Sequence, residues 1–201
     1  MNRTRLLLLL PALLLFPLAI RADETGTDER KPYQLGDKVV LLKHKDLAGG
    51  DDVDLPELLK KSERGVILVW YSPICPACVK HSKELSAIKE KHAKKGWTVV
   101  GVFSGSSAGP KRLTDEQHKR YYKDQAVAYP VLDDRDQRYN KPFGLRKTPT
   151  TAAITKDGRL GFLGAPWDLK SGKQYLADYV EAEAAGKEAP KVDSEELTAW
   201  G

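Results

Sequence analysis

A chain of 201 residues with 41% hydrophobic and 30% charged residues and a formal net charge of +5 has apolar content for one domain with a sizeable core. Arg3, Arg5 and Arg21 stand in the first 22 residues without one acid, so the rest of the chain carries only +2. Those remaining charges interleave in sign, as in KKSERG and HSKELSAIKEKHAKK, which excludes the basic stripe of a nucleic-acid binder.

The opening MNRTRLLLLLPALLLFPLAIRADE places two arginines before an uncharged apolar run from Leu6 to Ile20, then Arg21 and the small Ala22. That is the layout of a secretory signal peptide. As a helix the run reaches about 22 Å, short of the roughly 30 Å of a bilayer core, and Pro11 and Pro17 interrupt it. Residues 1–22 therefore read as a cleaved signal, with an uncleaved membrane tether as the alternative because Ile20 and Arg21 make a mediocre cleavage site. The protein is expected to be exported, periplasmic or otherwise extracytoplasmic. Residues 23–33 are polar and aperiodic and read as a flexible lead, followed by a domain over 34–185 and a loosely held tail over 186–201.

Within the domain, KVVLLK predicts a short strand near Lys38 to Lys43. DLPELLKK predicts a short helix capped by Asp54, with Leu55, Leu58 and Leu59 on one side. GVILVWYS (65–72) is continuously apolar, β-branched and aromatic, the mark of a buried central strand, with Trp70 and Tyr71 packing it beneath the segment that carries the cysteines. After the cysteines a helix is expected to run to about Lys95, stopped by Gly96; at helical spacing Cys78, His81, Leu85, Ile88 and His92 share one stripe. WTVVGVFSG (97–105) reads as a second buried strand. The loop SSAGPKR leads to Thr114, whose spacing to Gln117 predicts a capping box opening a helix through about Gln125. AYPVLDD gives a shorter strand and Arg135 to Phe143 a brief helix. TTAAITKDGRLGFLG (150–164) predicts a hairpin around Asp157-Gly158, a pair suited to a type I′ turn. Ser171 and Gln174 have capping-box spacing before a last helix whose apolar face is Tyr175, Leu176, Tyr179 and Val180. Alternating strands and helices ending in a hairpin predict an α/β sandwich with a mixed sheet.

The chemistry concentrates in YSPICPACVKH, which holds the only two cysteines, Cys75 and Cys78. A bridge over two intervening residues closes almost no loop and adds little stability through chain entropy. Pro76 suits the first helical position, which puts Cys75 at the N-cap, where free backbone amides and the helix dipole favour a thiolate. Cys75 is the predicted nucleophile. Cys78, about 5 to 6 Å away on a helix surface, lies on the apolar stripe that shields it. The pair thus supplies an attacking and a resolving thiol for exchange through a mixed disulfide, a redox-active Cys75–Cys78 couple.

A hydrophobic strand, C-x-x-C at a helix start and a Thr-Pro before a terminal hairpin resemble the thioredoxin superfamily over roughly Gln34 to Ala185. The span between Cys78 and Pro149 is similar to exported thioredoxin-like proteins of the cytochrome-maturation type. YSPICPAC and KTPTTAAITKDGRL resemble segments of the methylamine-dehydrogenase accessory proteins. The resemblance implies a thioredoxin-like three-layer sandwich, a central mixed sheet with helices on both faces. It also implies that Thr148-Pro149 forms the loop with a cis proline that faces the nucleophilic sulfur and positions a substrate backbone. Departures are Ile74 where tryptophan is common, Val69 in place of a buried acid, and His81 where relatives carry a glutamate. Pro76-Ala77 matches neither the Gly-Pro of reductants nor the Pro-His of strong oxidants, which leaves the direction of electron flow open.

The expected activity is thiol-disulfide exchange with protein thiols and disulfides by a monomer, served by a membrane or exported redox partner. No cofactor is required, because the dithiol itself carries two electrons. His81 is the candidate for proton transfer; a packed, hydrogen-bonded histidine is its bland role. Metal carriage is the competing class, with Cys75, Cys78 and His81 as three ligands for copper or zinc, although no second cysteine pair exists to close a zinc site. A peroxidase lacks support, since the proline and threonine expected seven and three residues before a peroxidatic cysteine are absent.

Overall fold

The structure, a computed structural model, describes residues 31–105, 113–168 and 170–189. The signal-like segment 1–22, most of the 23–33 lead, the loop 106–112 and the tail from 190 onward lie outside the described residues. No helix among those described is long and apolar enough to cross a membrane.

The apolar VVLL segment is not the strand its composition predicts. Lys38 makes a single antiparallel bridge to Arg159, and the ladder forms later, between β1 (Lys43–His44) and β2 (Val53–Asp54). Val39, Leu41 and Leu42 pack against one face of the core instead, so their hydrophobicity reports burial and not strand pairing. The chain enters α1 (Leu55–Lys61) through Asp54, whose carboxylate accepts from the Glu57 amide as expected.

β3 (Gly65–Trp70) is buried at all six positions, as the unbroken apolar run predicts. The single helix expected after it is divided into α2 (Pro76–Lys80) and α3 (Ser82–Ala93) by His81, whose φ of −109° and ψ of 27° leave the helical region. β4 (Trp97–Phe103) comes next, then α4 (Asp115–Asp124), opened by the predicted reciprocal capping box of Thr114 and Gln117. β5 (Val131–Asp133), β6 (Thr150–Thr155), β7 (Leu160–Gly164) and α5 (Tyr175–Ala184) complete the order.

The main sheet runs β5-β4-β3-β6-β7. β3 is parallel to β4 and β4 to β5, whereas β6 is antiparallel to both β3 and β7. The sheet is therefore mixed, and strand alternation distributes its side chains to two cores. Ile67, Val69, Val99, Phe103 and Ala153 join Leu85 and Ile88 of α3 and Leu176, Tyr179 and Val180 of α5. Val66, Leu68, Trp70, Val100, Val102 and Ile154 join Leu55 of α1, Tyr139 and Phe143 on the other face. Each fully buried large aliphatic side chain contributes about 1.5–3 kcal/mol, so the three layers follow from period-two patterning in the strands and one apolar stripe per helix.

Three connections differ from expectation. Residues 135–143 form successive turns and not a helix, because the fully buried Asp134 carboxylate accepts from the amides of Tyr139 and Asn140, at 2.8 and 2.9 Å, and from the Ser104 hydroxyl. The β6–β7 turn is not type I′: the Gly158 amide donates to Thr155 oxygen at 2.7 Å, and only Gly158, at φ +78°, is left-handed, so it is a type I turn closed by a glycine bulge. Before α5, Ser171 is not the cap expected, and Asp168 holds the preceding turn: its Oδ1 accepts from the Lys170 and Ser171 amides and its Oδ2 from the Tyr175 hydroxyl. Gln174 takes the N-cap position.

Candidate active site

The sheet register builds the site. Trp70, the last residue of β3, lies opposite Thr150, the first of β6, so the segment leaving β3 and the segment entering β6 meet at one end of the sheet. The Tyr71 amide still donates to Val102 oxygen at 3.1 Å, which holds the chain until it turns; the Cys75 amide then donates to Ser72 oxygen at 3.1 Å, and the Val79 amide to Cys75 oxygen at 3.0 Å. Cys75 is thereby fixed as the N-cap of α2, with Pro76 in the first turn. Opposite it, the Thr148–Pro149 peptide bond is cis, and the Thr148 carbonyl accepts from the Cys75 thiol at 3.3 Å. Cys75, Cys78, Thr148 and Pro149 are thus gathered at one place, both cysteines as free thiols.

The two sulfurs sit in opposite environments. Partial burial of Cys75 works against its ionisation, but the Thr148 side chain, the Cys78 backbone amide and thiol, and the Ala77 amide outweigh it and bring the thiol below its ordinary 9.0. The first-turn amides face this sulfur without making a capping hydrogen bond to the neutral thiol, as suits donors that gain strength when the acceptor is charged. Cys78 is fully buried; desolvation pushes it up to about 12 against smaller help from the Ser72 backbone and the Thr148 side chain, and the neighbouring Cys75 adds to the rise. The accessible thiol is the acidic one and the shielded thiol the basic one.

Tyrosines enclose the buried sulfur, and no motif in the sequence marks them. Tyr71, Tyr122 and Tyr129 share its core cluster, with Tyr121 packed against it. The Tyr71 hydroxyl donates to that of Tyr121 at 3.0 Å, and the Tyr129 hydroxyl donates to Leu85 oxygen at 3.1 Å. Burial raises Tyr121, Tyr122 and Tyr129, and a negative charge on Cys78 would raise all three further. The sequence signals are Tyr71, expected to pack beneath the cysteine segment, and the paired Tyr121-Tyr122 on one helix.

His81 occupies the α2–α3 junction. Its ring meets Trp167 edge-on with centroids 6.1 Å apart, and its Nδ1 lies 3.9 Å from Glu84. Among the described residues no group of three or more His, Cys, Asp or Glu side chains is arranged to hold a metal ion. His92 is buried in the core as expected, and burial together with Lys91 and Lys95 lowers it to about 4.

This geometry agrees with the kinship of the chain. A curated relative, thiol-disulfide oxidoreductase ResA of Bacillus anthracis, is 24% identical over 111 residues, 55% of this chain and 58% of its own length; the chain thus matches little more than half the length of such relatives. Among solved structures, a hypothetical protein of Sinorhizobium meliloti is 25% identical with a TM-score of 0.69, covering 81% of this chain and 91% of its own. The exposed lipoprotein thioredoxin of Streptococcus pneumoniae shares the fold at a TM-score of 0.55 and 20% identity, covering 71% and 98%. The AhpC/TSA family profile matches residues 35–162, and on that match, with the thioredoxin-like sheet and its cysteine pair in place, the chain belongs to the AhpC/TSA family.

Proposed function

We propose that the chain is an exported thiol-disulfide oxidoreductase acting on protein thiols and disulfides, with Cys75 as nucleophile and Cys78 as resolving thiol. The observation that carries the reading is the opposed pair: a half-buried thiol lowered below 9.0 at a helix start, and three residues on a fully buried one raised to about 12. In the reductive direction the Cys75 thiolate attacks one sulfur of a target disulfide. That bond breaks, a mixed disulfide forms and one target thiolate leaves. Cys78, giving up its proton, attacks the Cys75 sulfur, releases the second target thiol and leaves a Cys75–Cys78 disulfide, so that two electrons have moved to the target. An exported or membrane-bound dithiol restores the reduced pair; the oxidative direction is the same sequence reversed. Thr148 and Pro149 hold the target backbone beside the sulfur. His81, three residues beyond Cys78, is the candidate to receive its proton.

The test is turnover of a disulfide peptide by the reduced chain. Cys75→Ser is expected to reduce turnover to background, and Cys78→Ser to accumulate a mixed disulfide with the peptide, visible by mass spectrometry. Turnover that survives Cys75→Ser, or consumption of hydrogen peroxide in preference to disulfide, would refute the assignment.

A further inference from the structure

The two segments that meet at Cys75 carry charge of one sign. Residues 72–83 contribute Lys80 and Lys83, residues 144–150 contribute Arg146 and Lys147, neither segment contains Asp or Glu, and all four residues are exposed. Lys80, Lys83 and Arg146 pair with no carboxylate among the described residues. Two acids flank the region, the exposed Glu84, 3.9 Å from His81 Nδ1, and Asp168, whose carboxylate accepts from two amides and the Tyr175 hydroxyl, and the four cations outnumber them. Beside the cysteines the surface is apolar. Ile74 is 48% and Val79 45% exposed, two of the four exposed large hydrophobic residues among those described, and they flank the cysteine pair with the exposed Pro76 between them.

An exposed apolar patch with cations on the segments beside it has the makings of a protein-protein contact. Rim charges of one sign steer encounter and reject partners of like charge more than they add affinity. Resting on the oxidoreductase reading above, we infer that the redox partner of this chain is a polypeptide whose exchanging disulfide or dithiol lies in an acidic surface, and that Lys80, Lys83 and Arg146 select it. A polypeptide is favoured over an anionic bilayer because the nucleophile lies inside the patch, so whatever docks there must bring a sulfur to Cys75.

Two cyclic disulfide peptides test this, identical except that one carries three glutamates and the other three lysines beside the ring, with the uncharged bis(2-hydroxyethyl) disulfide as a third oxidant. At an ionic strength of about 10 mM, where screening extends over about 30 Å, the reduced wild-type chain is expected to be oxidised by the glutamate peptide about tenfold faster than by the lysine peptide. The ratio should fall toward one near 1 M salt. The triple variant Lys80→Glu, Lys83→Glu, Arg146→Glu is expected to invert it; should that variant not fold, the salt dependence of the wild-type ratio decides. Equal rates with the two peptides, or faster reaction with the lysine peptide, while the uncharged disulfide reacts, would overturn the inference and leave the oxidoreductase reading standing. No reaction with the uncharged disulfide would sink both. Equal peptide rates together with sedimentation on phosphatidylglycerol vesicles that the triple variant abolishes would overturn it in favour of a membrane surface.

Discussion

Iodoacetamide at about pH 8 is expected to alkylate Cys75 of the reduced chain at least about tenfold faster than Cys78. Desolvation holds Cys78 up to about 12, whereas the Thr148 side chain and the first-turn amides bring Cys75 below 9.0 in spite of its partial burial. With Cys75 lowered and Cys78 raised to about 12, Cys75 carries by far the larger thiolate fraction at about pH 8. The more basic thiolate is intrinsically the better nucleophile, but with a Brønsted slope of roughly 0.4–0.5 this offsets only about half of the difference on the logarithmic scale, which reduces the advantage of Cys75 without cancelling it. Full burial of Cys78 adds a barrier to reagent access in the same direction. Time points read by tandem mass spectrometry of the peptide that carries both cysteines give the two rates in one sample. The Cys75 rate should also reach half its plateau below pH 9.0. Equal rates, or first modification of Cys78, would refute the assignment of nucleophile and resolving thiol.

Thr148→Val removes a side chain that favours ionisation of both sulfurs, so the Cys75 thiolate, followed by its ultraviolet absorbance, is expected to titrate at higher pH than in wild type. Gly161→Ala places a Cβ 1.9 Å from the Tyr179 hydroxyl oxygen; a cost of about 1–3 kcal/mol in urea unfolding is expected, and Tyr179→Phe in the same background should recover part of it. His92 is held neutral by burial, with Lys91 and Lys95 reinforcing and Glu181 opposing. Its folded pKa is depressed, so the unfolded chain takes up a proton that the native chain refuses, and stability is lost as pH falls from about 6.5 toward about 4. His92→Gln should therefore lose less stability than wild type over that window, by about 2 kcal/mol, measured as the pH dependence of the urea midpoint.

The main sheet is legible in the sequence because its strands announce themselves by composition and its helices by one apolar stripe. GVILVW reads as a central strand since both of its faces are covered, and the register then sends Ile67 and Val69 to one core and Val66, Leu68 and Trp70 to the other. The connections are less legible because single polar groups, and not hydrophobic periodicity, govern them. Asp134 turns 135–143 away from helix by accepting two amides across the segment, and Asp168 organises the approach to α5 in place of Ser171. Local spacing signals a cap wherever Ser, Thr, Asp or Asn precedes a helix, but which oxygen captures the amides depends on the path the tertiary fold gives the chain. At His81 the Leu85 amide still donates to His81 oxygen at 3.0 Å, so helical periodicity continues past the non-helical His81 backbone and hides the break from any reading of hydrophobic spacing.

The candidate site divides along the same line. Everything that acidifies Cys75 except Thr148 is local, since a proline in the first turn and the amides of Ala77 and Cys78 come with the motif itself. Thr148 reaches the sulfur only because β6 runs antiparallel to β3 with Thr150 opposite Trp70; family resemblance points to it, and spacing cannot. The raised pKa of Cys78 is mainly tertiary, with a smaller local part from Cys75. It depends on α2 laying that side chain into a core cluster completed by Tyr71 from the end of β3, Tyr122 from α4, and Tyr129 from the loop before β5. Three separated segments must therefore fold before the resolving thiol is shielded, whereas the nucleophile acquires its donors as soon as the first turn of α2 forms against the Thr148 loop. The two halves of the couple are accordingly tuned by different parts of the fold: opening the core at Tyr122 or Tyr129 bears on the resolving thiol first, and altering the 148–149 loop bears on both.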